Sequence, residues 1–204
     1  MARAIILVMA EYMVGDSPLW HRGSRTHIGT VDAAGIGLSA ALRHDLRAWN
    51  DVFDRLSATN YEWPSDATRD AHAVNAFSLA SRVQLELGDD VHVWCAAGHG
   101  IDTIAQWGTA AALTSTQSGT TIQVIRDGAS DLETARTAGA LEVTARKIVE
   151  WRALTRRVGM PFGDAQTRAL GLQAAGRLQA DLGERAQVVF LAGASAPYPR
   201  ADLG

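Results

Sequence analysis

Ser81-Arg-Val-Gln-Leu-Glu-Leu-Gly-Asp-Asp-Val-His-Val-Trp-Cys-Ala-Ala-Gly98 carries a helix end, a stop and a strand in one short window. Leu87-Gly88 reads as a helix terminus, because glycine takes up the left-handed conformation that closes a helix without a steric penalty. Val91, Val93 and Cys95 then alternate with His92 and Trp94, the period of a strand. The window recurs. Gly176-Arg-Leu-Gln-Ala-Asp-Leu-Gly-Glu-Arg-Ala-Gln-Val-Val-Phe-Leu-Ala-Gly193 aligns with it without gaps. Arg82, Gln84, Leu87, Gly88, Val93, Ala97 and Gly98 are identical to Arg177, Gln179, Leu182, Gly183, Val188, Ala192 and Gly193. Two readings stand: an internal duplication, or two separate helix–strand junctions obeying the same physical preferences.

Upstream of each window the order of elements is similar. Ala4-Ile-Ile-Leu-Val-Met-Ala10 is a short apolar run that reads as a strand buried on both faces. Glu11 to Ile36, punctuated by Gly15, Pro18, Gly23, Gly29 and Gly35, reads as irregular. Ser39 caps a predicted helix whose stripe is Leu42, Leu46, Trp49, Phe53 and Leu56. Ser65 or Asp66 caps a second helix ending at Leu87. In the other half, Thr121 to Ile125 reads as a strand, and Ser130-Asp-Leu-Glu133 as a capping box. The helix that follows carries Leu141, Thr144, Ile148, Trp151, Leu154 and Val158 on one face, with Gly139 interrupting its first half. Asp164 caps the last helix, and Ala186 to Ala192 forms the last strand.

This predicts an α/β fold: a mixed sheet of four to five strands packed with about four helices, arranged as two tandem β-α-α-β units. Residues 1–98 make the first unit, 99–120 the linker and 121–204 the second. A fifth short strand falls near Thr103 to Trp107. Two strands alone are marginal, so the units are expected to share one sheet in one compact domain.

Composition narrows the class. The chain has 204 residues, 47% hydrophobic, with a net charge of −3, which excludes a disordered chain. No apolar run approaches the ~20 residues of a membrane span. The single Cys95 forms no internal disulfide, so a reducing compartment is expected. Arg3 precedes an apolar run, but Glu11 follows where a cleavage site would lie, so no secretory signal is expected. Lys147 is the only lysine, and the Arg, Ala and Gly content fits a high-GC bacterial origin. Up to Gly98 there are 8 Arg against 12 Asp and Glu, a net of −4; the remainder nets +1. Neither half is basic enough to favour nucleic acid.

No phosphate-binding loop, dinucleotide turn, paired-cysteine zinc motif, metalloprotease helix or Gly-x-Ser-x-Gly elbow occurs, so no cofactor or metal is indicated. Candidate chemistry lies in loops beyond strand ends, where open α/β sheets place ligands. Glu11 and Asp16 could serve as acid and base, with His21 a proton shuttle. Tyr12 and Trp20 could wall a pocket. Cys95 could be a nucleophile with His99 or His21 as base; it also shares a face with Val91 and Val93, which favours inert burial. Arg146, Lys147, Arg152, Arg156 and Arg157 read as a solvated helix surface, with a partner-binding or phosphate-contacting patch as the lesser reading.

Glu11-Tyr12, Ser17-Pro-Leu-Trp20, Leu38-Ser39-x3-Leu-x3-Leu-Arg-Ala-Trp49 with Phe53-Asp54, and Tyr61-Glu-Trp-Pro-Ser65 together form a recognisable series. Over residues 4 to 95 the chain resembles small uncharacterised proteins common in high-GC bacteria, in which Asp/Glu-Tyr, Pro-Leu-Trp and Leu-Arg-Ala-Trp recur in order. The resemblance implies no activity.

Two functions are therefore expected. One is a soluble intracellular binding or accessory protein, an immunity-type or regulatory partner. The other is a small-molecule enzyme using Glu11, Asp16, His21 and His99 at the strand ends. Either a protein partner or a small ligand fits; a membrane does not, and the oligomeric state is not legible. The enzyme requires those four side chains to converge.

Overall fold

The structure is a computed structural model, and it describes residues 4–22, 24, 26–96, 115–116, 119–123, 136, 139–157 and 163–190. Its elements are β1 (Ala4–Val8), β2 (Leu19–Arg22), α1 (Ala40–Asp54), α2 (Asp66–Leu87), β3 (Val91–Ala96), β4 (Ser115–Thr116), β5 (Gly119–Gln123), α3 (Glu142–Arg157), α4 (Ala165–Leu182) and β6 (Ala186–Phe190). Helix starts follow local chemistry. Ser39, Ser65 and Asp164 accept the amides of Leu42, Thr68 and Thr167 at 3.2, 3.1 and 2.8 Å, satisfying groups that a first turn leaves open. Gly88 and Gly183 end α2 and α4 with φ of +67° and +53°, a region costly for any residue with a Cβ.

The strands form one mixed sheet in the order β2-β1-β3-β6-β5-β4. β1 runs parallel to β3, with Val8 beside Cys95, and β5 runs parallel to β6. β3 and β6 meet antiparallel at the centre. The sheet is thus wider than the four to five strands expected. β2 lies inside the stretch read as irregular, and a four-residue strand next to Pro18 leaves too short a pattern to register. The Gly139 interruption holds, with φ of +102° and α3 beginning at Glu142. The capping box at 130–133 and the strand near 103–107 lie outside the described residues.

All four helices pack on the sheet face that carries Ile6, Val8, Val93, Cys95, Val188 and Phe190. The opposite face carries Leu7, Met9, Trp94, Ala96 and Val189, also buried. β1 is therefore buried on both faces, as a central strand of a covered sheet should be. Of the predicted α1 stripe Leu42, Leu46 and Trp49 are buried and Phe53 half-buried, while Leu56, also buried, lies in the turn after the helix. On α3, Thr144, Ile148 and Trp151 are buried, but Leu141 and Leu154 are exposed. Leu141 precedes the first turn, its amide bound to Asp181 Oδ2 at 3.0 Å, so helical phase does not govern it. Beyond Trp151 the half-buried positions are Arg152 and Thr155, on either side of exposed Leu154.

The two aligned windows adopt the same local bonds. Gln84 Nε2 donates to the carbonyls of Gly88 and Val91, both at 2.9 Å, and its Oε1 accepts from Val93 N at 2.9 Å. Gln179 does the same to Gly183, Ala186 and Val188 at 2.9, 3.1 and 2.8 Å. Trp49 Nε1 donates to the His72 carbonyl and Trp151 Nε1 to that of Thr167, at 3.0 and 2.8 Å. Arg168, fully buried, adds an asymmetric link: its Nε donates to Gln84 Oε1 at 3.1 Å and its Nη1 to the Gly163 carbonyl at 2.8 Å. Each glutamine satisfies three backbone groups that burial would otherwise leave costly. Gln84→Ala is expected to cost about 3 kcal/mol and Gln179→Ala about 2 kcal/mol, the difference reflecting the orphaned Arg168 Nε. Urea unfolding of the two variants and of Arg168→Met, alone and combined with Gln84→Ala, measures this; additive losses would remove the coupling.

Candidate functional site

Glu11 follows the carboxyl end of β1, and α1 fixes it there. Its amide donates to Oδ1 of buried Asn50 at 3.0 Å, and its own Oε1 accepts the Tyr12 amide at 2.9 Å. One helical turn on, Asp54 Oδ1 accepts the Met13 amide at 3.1 Å. Asn50 and Asp54 thus grip the loop from a single face of α1. The grip leaves Met13 at φ +59° with its side chain 93% exposed.

The other expected site residues are dispersed. Asp16 pairs with Arg47 of α1 and lines a cavity of about 320 Å³ with Asp32, Arg43 and His44. Neither Glu11 nor His21 lines that cavity. His21 stands on β2 opposite Ile6, back from the strand end, because β2 runs antiparallel to β1. Burial, and then His27 with its ring 5.5 Å away, lowers the His21 pKa. Cys95 lies beside Val8 on the helix-covered face with no exposure, and burial pushes its thiol well above the usual range. His99 is outside the described residues. Glu11 and Asp16 therefore share α1 as a neighbour, while His21 and Cys95 sit apart from both.

Trp20 anchors β2 by donating to the Met9 carbonyl at 3.1 Å. Arg146 and Lys147 pair with Glu142 and Glu150 along α3, the solvated surface expected; the side chains of Arg156 and Arg157 fall outside the described residues. Among the described residues no group of three His, Cys, Asp or Glu is placed to hold a metal, and no helix is long and apolar enough to cross a membrane.

What the structure does bring together is a row of aromatic rings. Tyr12 lies 4.6 Å from Phe53 and 5.3 Å, edge-on, from Tyr61. Phe53 lies 6.2 Å from Trp63, Trp63 5.0 Å from His72, and His72 stacks on Trp49 at 4.7 Å. Tyr61, 64% exposed, follows Asn60 in the left-handed region, at φ of +65° and +56°. Asparagine tolerates that region; tyrosine does so only under constraint, here the Tyr61 amide bond to the Leu56 carbonyl at 2.8 Å. The row opens onto a cleft of about 700 Å³ between α1 and α2, lined by Trp49, Val52, Ala71, His72 and Leu79 and bordered by the Asp45–Arg82 pair at 2.7 Å. Burial, and then Tyr61, Glu11 and Asp54, raise the Tyr12 pKa. Sequence reading missed Met13 and Tyr61 because the backbone conformation that displays them depends on bonds to α1 and to the turn after it.

The fold is that of a small α/β protein in which, among the described residues, His21 and Cys95 lie apart from Glu11 and Asp16 and a row of aromatic rings runs beside α1 and α2. Residues 4–97, somewhat under half of the chain, match the family model described as Serratia CdiI immunity protein-like. The match supports an immunity-type accessory protein and implies a protein partner, and it indicates no catalytic family. Comparison with the curated proteins finds no match.

Two outcomes test the chemistry of the site. Burial lowers the pKa of His72 to about 4, against an opposing bond from its Nε2 to the Trp49 carbonyl at 3.1 Å. The unfolded chain protonates His72 near 6.5, so it binds more protons than the native state between about pH 6.5 and 4. Stability is lost as pH falls through that window, by up to about 3 kcal/mol. In urea unfolding, wild type should lose up to about 3 kcal/mol relative to His72→Phe as pH falls from 6.5 to 4; parallel curves would refute the assignment. Cys95 should alkylate at least about 100-fold more slowly in the native protein than in urea. Fast native labelling would return it to the list of nucleophiles.

Proposed function

We propose that the chain is an immunity-type accessory protein that acts in the bacterial cytoplasm by binding a toxin domain and holding it inactive. The match across residues 4–97 carries this reading, and its span coincides with the unit from β1 to the end of β3. That unit holds the aromatic row, the exposed Met13 and Tyr61, and the cleft beside α1. A free, buried Cys95 supports a reducing compartment. Inhibition by binding needs complementary surface, not converging catalytic groups. We further read the two halves as copies of one unit joined across β3 and β6; the matching bonds of Gln84 and Gln179 support a duplication.

Co-expression with toxin domains that accompany members of the matched family tests the function. The wild-type chain should restore growth against at least one of them and elute with it as a one-to-one complex. Protection against none would overturn the reading.

A further inference from the structure

We infer that Met13, Tyr12 and Tyr61, with the aromatic row behind them, are the docking surface, and that its occupant is a toxin domain with a basic contact face. For its occupant this rests on the immunity reading; the surface itself rests on geometry.

Two large side chains, Met13 and Tyr61, are held in left-handed backbone conformations and point into solvent. Each conformation costs of order 1–3 kcal/mol, and each is imposed by bonds from elsewhere: Asp54 to the Met13 amide, the Leu56 carbonyl to that of Tyr61. Neither side chain gains burial in return. Strain at side chains that remain largely exposed is consistent with display for contact. Tyr12, half-buried and next to Met13 in the chain, meets Tyr61 edge-on and connects through Phe53 to Trp63. Tyrosine, tryptophan and methionine are the residues that interface centres favour.

Charge selects the occupant. Glu11, Asp51, Asp54 and Glu62 neighbour the patch along the chain, and among the described residues none of the four has an ion-pair partner; Arg55 is the one cation within the same turns. The half of the chain that holds the patch carries a net of −4. An apolar contact held by Glu11 and Asp54, with Asp51 and Glu62 close by in sequence, complements a protein face that carries lysines and arginines, and the field accelerates such encounters at low salt. The two parts should separate kinetically, the aromatics governing dissociation and the carboxylates association.

Met13→Asn and Tyr61→Asn test this, because asparagine accepts the left-handed conformation that the original residues resist. Both variants should fold with an unchanged or higher thermal midpoint, while affinity for the protected toxin domain falls at least tenfold, mainly through faster dissociation. Asp51→Lys with Glu62→Lys should slow association three- to tenfold and flatten its salt dependence. If the wild type protects and all variants bind equally well, the surface is wrong and the immunity reading survives. If the wild type protects against no toxin, the immunity reading fails and a second probe decides the surface. That probe is a short peptide of alternating lysine and leucine, titrated into 15N-labelled protein. Amide shifts concentrated at residues 11–13, 53–54 and 61–63, and lost in Tyr61→Asn, support the surface; shifts elsewhere, or none, overturn it.

Discussion

Arg168 and Gln84 are both shielded completely from water, and the centre of the sheet depends on what they satisfy. Gln84 Oε1 serves two donors, Val93 N of β3 and Arg168 Nε of α4, while its amide closes the carbonyls at the α2–β3 junction. Leaving a guanidinium or a backbone amide unpaired at such depth costs more than most surface contacts return. The junction therefore forms with α4 in place or at a large penalty. β3 follows directly, and β3 is the strand on which both β1 and β6 align. The loop that presents Met13 hangs from β1. A bond in the second half of the chain thus supports a surface in the first.

Close packing between the helices has a matching requirement. Gly171 and Gly176 lie inside α4, where glycine weakens a helix by about 1 kcal/mol each relative to alanine. A Cβ at Gly171 would come within 2.5 Å of the Trp151 ring and 2.7 Å of Phe190, and one at Gly176 within 3.0 Å of Phe77 Cβ. Local propensity is given up so that α4 can lie against α2, α3 and the sheet together. Arg69 reinforces the same seam from the outside, reaching Glu184 at 3.0 Å. Tertiary fit overrides propensity here, and nothing local in the α4 sequence announces it.

Much of the frame was legible because it is written in local chemistry. Ser39, Ser65 and Asp164 announce helix starts, Leu-Gly pairs announce helix ends, and the Leu42–Leu56 stripe gives the buried face of α1 by spacing alone. The apolar run at Ala4–Ala10 announces a strand covered on both sides; that it pairs parallel with β3 depends on contacts across the chain. β2 escaped because its four residues next to Pro18 are too few to show a period. Its place depends on pairing with β1 and on the Trp20–Thr30 bridge, contacts that no window of sequence contains.

The candidate site was legible in its residue types and misleading in its arrangement. Glu11, Asp16, His21 and Cys95 all fall where loops and strand ends gather, yet strand direction separates them. The antiparallel return of β2 carries His21 away from the edge that Glu11 occupies, and Cys95 turns toward the helices. An acid–base enzyme needs its groups within hydrogen-bond reach of one reacting atom; a contact surface needs only that neighbours share an orientation. Asn50 and Asp54, two polar side chains one turn apart on α1, hold the amides of Glu11 and Met13. Asparagine and aspartate inside a helix are ordinarily poor choices. Their use at these positions is explained by what they hold, a loop whose exposed methionine the rest of the fold does not bury.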